Sequence, residues 1–132
     1  MDELLLLSLN CHGFSMDTAN YLSGILTDSN YAADILLLQE TWLSIANCSR
    51  LHDISDEFVY FHSSAMEERL AAGILAGRPY GGTAILVRKN LSARVAVLET
   101  GNPPITAACL HNSDQPDLLI CSVYMPYSST AG

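Results

Sequence analysis

Basic residues are scarce in this 132-residue chain: six Lys and Arg stand against fourteen Asp and Glu, for a formal net charge of −8. Affinity for a polyanion rests on neutralising phosphates with Lys and Arg, so the overall balance does not by itself favour nucleic acid. Long apolar runs are lacking too. None exceeds the four residues of Leu4–Leu7, against the roughly 20 that a spanning helix needs. Asp2 and Glu3 stand where a secretory leader would be positive, and no long apolar stretch follows, so no such leader is expected. The four cysteines, Cys11, Cys48, Cys109 and Cys121, have no framework spacing and read as reduced thiols in an intracellular setting.

Apolar residues, in contrast, make up 49% of the chain, which is too much for disorder and enough for one core, hence one domain over residues 1–132. Charge is unevenly placed: residues 1–66 hold nine acids against Arg50 alone, whereas acids and bases balance over residues 67–132. The other five bases, Arg69, Arg78, Arg88, Lys89 and Arg94, form a band where a polyanion would meet the chain; solvated surface charge explains them equally well.

Leu4–Leu9 is a short apolar run ended by Asn10 and Gly13, which predicts a buried strand. From Ser15 the period changes: Ala19, Leu22 and Leu26 recur at three and four residues, and Ser15 precedes them as an N-cap, predicting an amphipathic helix of about three turns. Ile35–Leu38 is apolar on both faces, as expected of a central strand covered by helices. Strand, helix and strand in this order predict a βαβ-like opening. Thereafter Phe58–His62, Thr83–Arg88, Ala93–Glu99, Ile105–Leu110 and Leu118–Tyr124 read as strands, with turns at Gly81–Gly82, Asn90, Gly101–Pro104 and Asn112–Asp117. Residues 64–80 form a long connection with a short helix expected at Met66–Leu75. The class is α/β or α+β with a sheet-rich second half. Its last strand runs into Met125–Pro126 with no helix after it to cover the sheet, so the domain reads as cut off.

Two strands end in polar residues at corresponding places, Asn10 with His12 after it, and Gln39-Glu40-Thr41. Ligands gather beyond the carboxyl ends of parallel strands, so Asn10 and Glu40 are candidates to face one crevice, where a carboxylate suits Mg2+. The residues alone leave the alternative open that Glu40 caps a turn and Asn10 satisfies loop backbone. A weaker reading is a zinc site from Cys11, His12, Cys48 and His52.

Four segments carry a resemblance. Leu7-Ser8-Leu9-Asn10-Cys11-His12-Gly13, Leu36-Leu37-Leu38-Gln39-Glu40-Thr41-Trp42, Gly81-Gly82-Thr83-Ala84-Ile85-Leu86-Val87-Arg88 and Ser122-Val123-Tyr124-Met125-Pro126 resemble, in order and spacing, the first four signature blocks of the endonuclease/exonuclease/phosphatase superfamily. The likeness is greatest to the endonuclease domain of LINE-type (non-LTR) retrotransposons, related to apurinic endonucleases, and Gly77-Arg78-Pro79-Tyr80-Gly81-Gly82 tilts it to that branch. The resemblance implies the N-terminal half of a four-layer, DNase I-like α/β sandwich, Mg2+ or Mn2+ as cofactor, DNA as partner and nuclear action, although no basic localisation cluster is present. Glu40 would hold the metal, Asn10 would help organise the metal and phosphate, and Tyr124 would hydrogen-bond the phosphate. Arg88 and His12 would lie near the substrate. His12 departs from the aspartate of apurinic endonucleases, and Tyr127 stands where many relatives have asparagine.

The superfamily's later blocks, Gly-Asp-x-Asn with its water-activating aspartate and Ser-Asp-His with its transition-state histidine, do not occur in the sequence. Losing such groups removes many orders of magnitude in rate, so this chain by itself is expected to be inactive. With half a sandwich, the inner faces of its strands would be exposed and open to aggregation or a partner. The alternatives are a non-enzymatic, decayed fragment serving as an interaction module, and a lipid or inositol phosphohydrolase of the same superfamily.

Overall fold

A computed structural model describes residues 3–28, 32–64, 81–101 and 104–125. The helix expected at Met66–Leu75, the Gly77–Tyr80 segment and Pro126–Tyr127 lie outside these. The chain opens with strand β1 (Leu6–Asn10), helix α1 (Met16–Thr27) and strand β2 (Ile35–Gln39), and β1 pairs parallel to β2 from Leu6 opposite Ile35 to Asn10 opposite Gln39. This is the expected βαβ opening. Helix α1 starts at Ser15 because its Oγ accepts the Thr18 N–H at 3.2 Å, while Thr18 Oγ1 accepts the Ser15 N–H in return. Asp17 in the first turn complements the positive end of the helix.

Strands β3 (Phe58–Ser63) and β4 (Thr83–Arg88) complete the first sheet in the order β1-β2-β4-β3, with β4 antiparallel to both neighbours. A second sheet is an antiparallel meander of β5 (Val95–Leu98), β6 (Ile105–Leu110) and β7 (Leu118–Val123). Where one continuous strand Ala93–Glu99 was expected, the chain turns through a 3-10 segment, Lys89–Arg94, before β5 begins.

The two-residue period of a strand sends alternate side chains to opposite faces, and both faces of the inner strands β2 and β4 are covered. Leu36, Leu38, Ala84, Leu86 and Phe58 pack with Phe14, Ala19 and Leu22 of the helical layer. Ile35, Ile85 and Val87 pack with Ala108, Leu110 and Ile120 of the second sheet. Strand β2 is therefore central as expected, but its second cover is a sheet and not a helix. Each fully buried Leu or Ile in these layers contributes about 1.5–3 kcal/mol relative to exposure. The same packing corrects the expectation of exposed inner faces: these are where the two sheets meet, joined by a buried Thr83 Oγ1···Thr106 Oγ1 hydrogen bond of 2.8 Å. Apolar exposure falls on Leu6 of the edge strand β1 and on the outer side of the second sheet, where Leu119 and Val123 alternate with the buried Ile120 and Ser122.

The β6–β7 turn is pinned by polar contacts. The Asp117 carboxyl is held below the usual carboxylate range, first by its hydrogen bond with the His111 ring and then by the Asn112 N–H. No helix among the described residues is long and apolar enough to cross a membrane.

Candidate functional site

Register places the polar strand ends together. Asn10 is opposite Gln39 at the ends of β1 and β2, and the pairing continues beyond both strands as Cys11 N–H donates to Gln39 O (2.7 Å), Gly13 N–H to Glu40 O (2.8 Å) and Phe14 N–H to Thr41 O (2.8 Å). On the other side, Thr41 N–H donates to Gly82 O (3.2 Å) and Trp42 N–H to Gly81 O (2.8 Å). Residues 39–42 are thus held between two other segments of the chain.

This clamp imposes an unusual backbone. His12 (φ 50°), Glu40 (φ 51°) and Trp42 (φ 59°) are the only non-glycine residues with positive φ among those described, and all three lie here. Bulky side chains rarely adopt this region, and such conformations persist where the surroundings over-determine them, which is a recurring property of functional sites. Gly13 (φ 93°) is required beside Trp42, since a Cβ would stand 2.5 Å from its ring.

The side chains follow from the frame. The Glu40 side chain is only 18% exposed, and its Oε2 lies 3.7 Å from Nδ1 of His12, which is 84% exposed. The His12 ring is 5.4 Å from that of Trp42. Asn10 Oδ1 accepts the His12 backbone N–H at 3.0 Å, fixing the amide. Behind them, Gln39 Nε2 donates to Ser122 Oγ at 3.0 Å, and Ser122 Oγ donates to the Leu38 carbonyl at 2.7 Å. These bonds carry the end of β7 to the end of β2, so Tyr124, two residues beyond Ser122, lies at the same end of the sandwich. Thr41, fully buried, hydrogen-bonds His62 at 2.8 Å. A partly shielded carboxylate with solvent on one side offers the oxygen ligand that a hard divalent cation takes.

Asn10, Glu40, His12 and Tyr124 are therefore brought to one end, but Arg88 is not. Five residues of β4, roughly 17 Å of strand, separate it from Thr83 opposite Gln39. Arg88 is instead a clamp at the far end: Nη2 donates to Ala33 O at 2.7 Å, Nη1 to Glu57 Oε2 at 3.2 Å, and the guanidinium lies 4.7 Å from the Phe58 ring. Lys89 and Arg94 follow it at that far end, so no described base of the Arg69–Arg94 band approaches Glu40.

The zinc reading fails on geometry. Cys11 packs inward against the helical core while His12 faces solvent, Cys48 Sγ contacts Ile45 O and Tyr60 Oη, and His52 lies edge-on to Tyr60. Burial pushes the Cys11 thiol up to about 12. Only about 10⁻⁴ of such a thiol is ionised at pH 8. Iodoacetamide at pH 8 is expected to alkylate the exposed Cys121 while Cys11 stays unmodified in peptide mass mapping; equal rates would contradict this burial.

Sequence reasoning missed the Ser8–Gln39–Ser122 contacts, the Thr41–His62 bond and the role of Trp42. The first two join residues far apart in the chain, and a polar Ser122 within an apolar strand signals the first alone.

The sequence matches the profile of the endonuclease/exonuclease/phosphatase family over residues 7–128. Among solved structures, the AP endonuclease LMAP from Leishmania major is similar with a TM-score of 0.64 at 15% identity, covering 90% of this chain and 39% of that one. A humanised D. rerio TDP2 with 14 mutations gives a TM-score of 0.49 at 22% identity, covering 89% of this chain and 45% of that one. No curated protein matches the sequence. The chain thus spans about two fifths of the length of the LMAP structure, whose two-sheet architecture it shares.

Proposed function

Because this chain belongs to the endonuclease/exonuclease/phosphatase family, we propose that it provides the metal- and phosphate-binding side of a site for phosphodiester hydrolysis in DNA, in a protein of retroelement type. The observation that carries this reading is the convergence of Glu40, Asn10 and His12 on the one stretch of strained backbone among the described residues. Strain of this kind costs about 1–3 kcal/mol per residue, and here it gathers in three residues just beyond the adjoining ends of β1 and β2.

Glu40 is the residue to hold Mg2+ or Mn2+, with Asn10 helping to organise the metal and phosphate. A bound divalent cation supplies charge neutralisation at the phosphate and stabilisation of developing negative charge. With its Oδ1 engaged by the His12 N–H, Asn10 keeps its Nδ2 donor for a phosphate oxygen, and the Tyr124 phenol donates to the same group. Exposed His12 is positioned to meet the incoming strand. The sequence contains no Gly-Asp-x-Asn and no Ser-Asp-His, so it holds no group for water activation in those roles, and the chain binds without turning over.

Anisotropy of a labelled abasic duplex tests this reading. Binding is expected in Mn2+ and not in EDTA, roughly fivefold weaker in Tyr124→Phe for the loss of one hydrogen bond, with plasmid nicking at buffer background. Binding of equal strength in EDTA would overturn it.

A further inference from the structure

We propose that Cys109, His111 and Asp117 form a zinc-type metal site at the mouth of the β6–β7 hairpin. Cys109 and His111 are two residues apart at the end of β6 and so share one face. Leu110 pairs with Leu118, which sets Asp117 across from His111. The three ligand atoms lie within 4.8 Å of one another, and His111 Nδ1 is 3.0 Å from Asp117 Oδ2.

These separations suit one ion. Nitrogen and oxygen at about 2.0–2.1 Å from tetrahedral zinc stand roughly 3.3 Å apart, and sulfur at about 2.3 Å adds only a few tenths. Entry of the metal would replace the His111–Asp117 hydrogen bond and draw the Cys109 Sγ inward from a separation of at most 4.8 Å. The donor set selects the metal: thiolate and imidazole favour zinc, whereas Mg2+ takes oxygen. Three protein ligands leave a fourth position for water.

The site is also accessible and braced. The His111 and Asp117 side chains are 57% and 48% exposed, and Cys109 is half-buried. Asn112 N–H donates to Asp117 Oδ1 at 3.2 Å and Asn112 Nδ2 to Pro116 O at 3.2 Å, while Arg94 Nε donates to the His111 carbonyl at 3.0 Å. The hairpin mouth is thus ordered before any ion arrives. It lies at the opposite end of β6 and β7 from Thr106 and Ser122, which adjoin the Glu40 end, so the two sites are separate. Binding to the folded chain alone would raise its melting temperature.

Co2+ titration of the reduced, full chain tests the assignment. One equivalent is expected to bind with a thiolate-to-cobalt charge-transfer band and tetrahedral d–d absorption, both bleached by Zn2+. Cys109→Ser should abolish the charge-transfer band. His111→Gln and Asp117→Asn should weaken binding by more than the roughly 10–100-fold lost when a residue that only orients a ligand is changed. Because His111 and Asp117 are exposed, their variants keep the fold, which the unliganded melting temperature verifies. Glu40→Gln should leave the thiolate charge-transfer band unchanged. Absence of a thiolate band, its persistence in Cys109→Ser, or its loss in Glu40→Gln would overturn the proposal.

Discussion

Replacing Gly82 with alanine is expected to destabilise the chain by about 2–5 kcal/mol, a loss of on the order of 10 °C or more in melting temperature. Two costs add. Gly82 has φ 90°, outside the range that a residue with a Cβ tolerates readily, and the new methyl would overlap Thr41 Oγ1. Thr41 cannot yield cheaply, because it is fully buried, its Oγ1 hydrogen-bonds His62 at 2.8 Å, and its N–H donates to Gly82 O. The strain would pass to the adjoining Glu40 and Trp42. Two other glycines serve as internal controls. Gly101 also has positive φ (64°) but nothing near its Cβ position, so Gly101→Ala should cost only the backbone term, about 1 kcal/mol. Gly24 lies within α1 with open space around it, so Gly24→Ala should stabilise by about 0.5–1 kcal/mol. Thermal melts of the three variants should fall in that order; a Gly82→Ala midpoint within 2 °C of the parent would contradict the packing account, on the roughly 2–8 °C per kcal/mol expected at this size.

The strands were legible because apolar period and turn residues agree along most of the chain. Thr83–Arg88 and Ile105–Leu110 form as read, Ser15 caps α1, and the family resemblance carried by four short blocks is borne out by the match over residues 7–128. Less legible was anything set by contacts distant in sequence. Arg88 ends a signature block, yet the register of β4 against β2 carries it to Asp34 and Glu57, away from Glu40. The inner faces of the strands appeared open only because apolar alternation in a single strand does not say what packs on it; Ile120 and Leu110 lie over Ile85 and Val87. Nor does any propensity announce a tryptophan at φ 59°, which is forced on Trp42 by the Gly81 carbonyl and the space above Gly13. In the sequence His111 is only the residue before the Asn112–Asp117 turn. Its value as a ligand depends on a residue across the hairpin, and a Cys-x-His strand end followed by a turn and an aspartate is the signal that would have found it.

The largest effect expected at the site itself is on metal affinity. Glu40 contributes the one carboxylate of the strained cluster, and its single ion pair among the described residues is with an exposed His12 at 3.7 Å. Glu40→Gln keeps the shape and removes the charge, so stability should change by less than about 1 kcal/mol. Metal binding, on the proposed role of Glu40 as the anionic ligand, should fall well beyond the roughly 10–100-fold typical of changes to residues that only orient a ligand. The decisive measurement is a Mn2+ titration of parent and Glu40→Gln chains, followed by the electron paramagnetic resonance of free ion and checked against unchanged melting curves. Manganese favours carboxylate and carbonyl oxygen, so it reports on this end of the sandwich and not on the Cys109 thiol. The account predicts a site in the parent that disappears in Glu40→Gln; equal Mn2+ affinity in the two chains would contradict it.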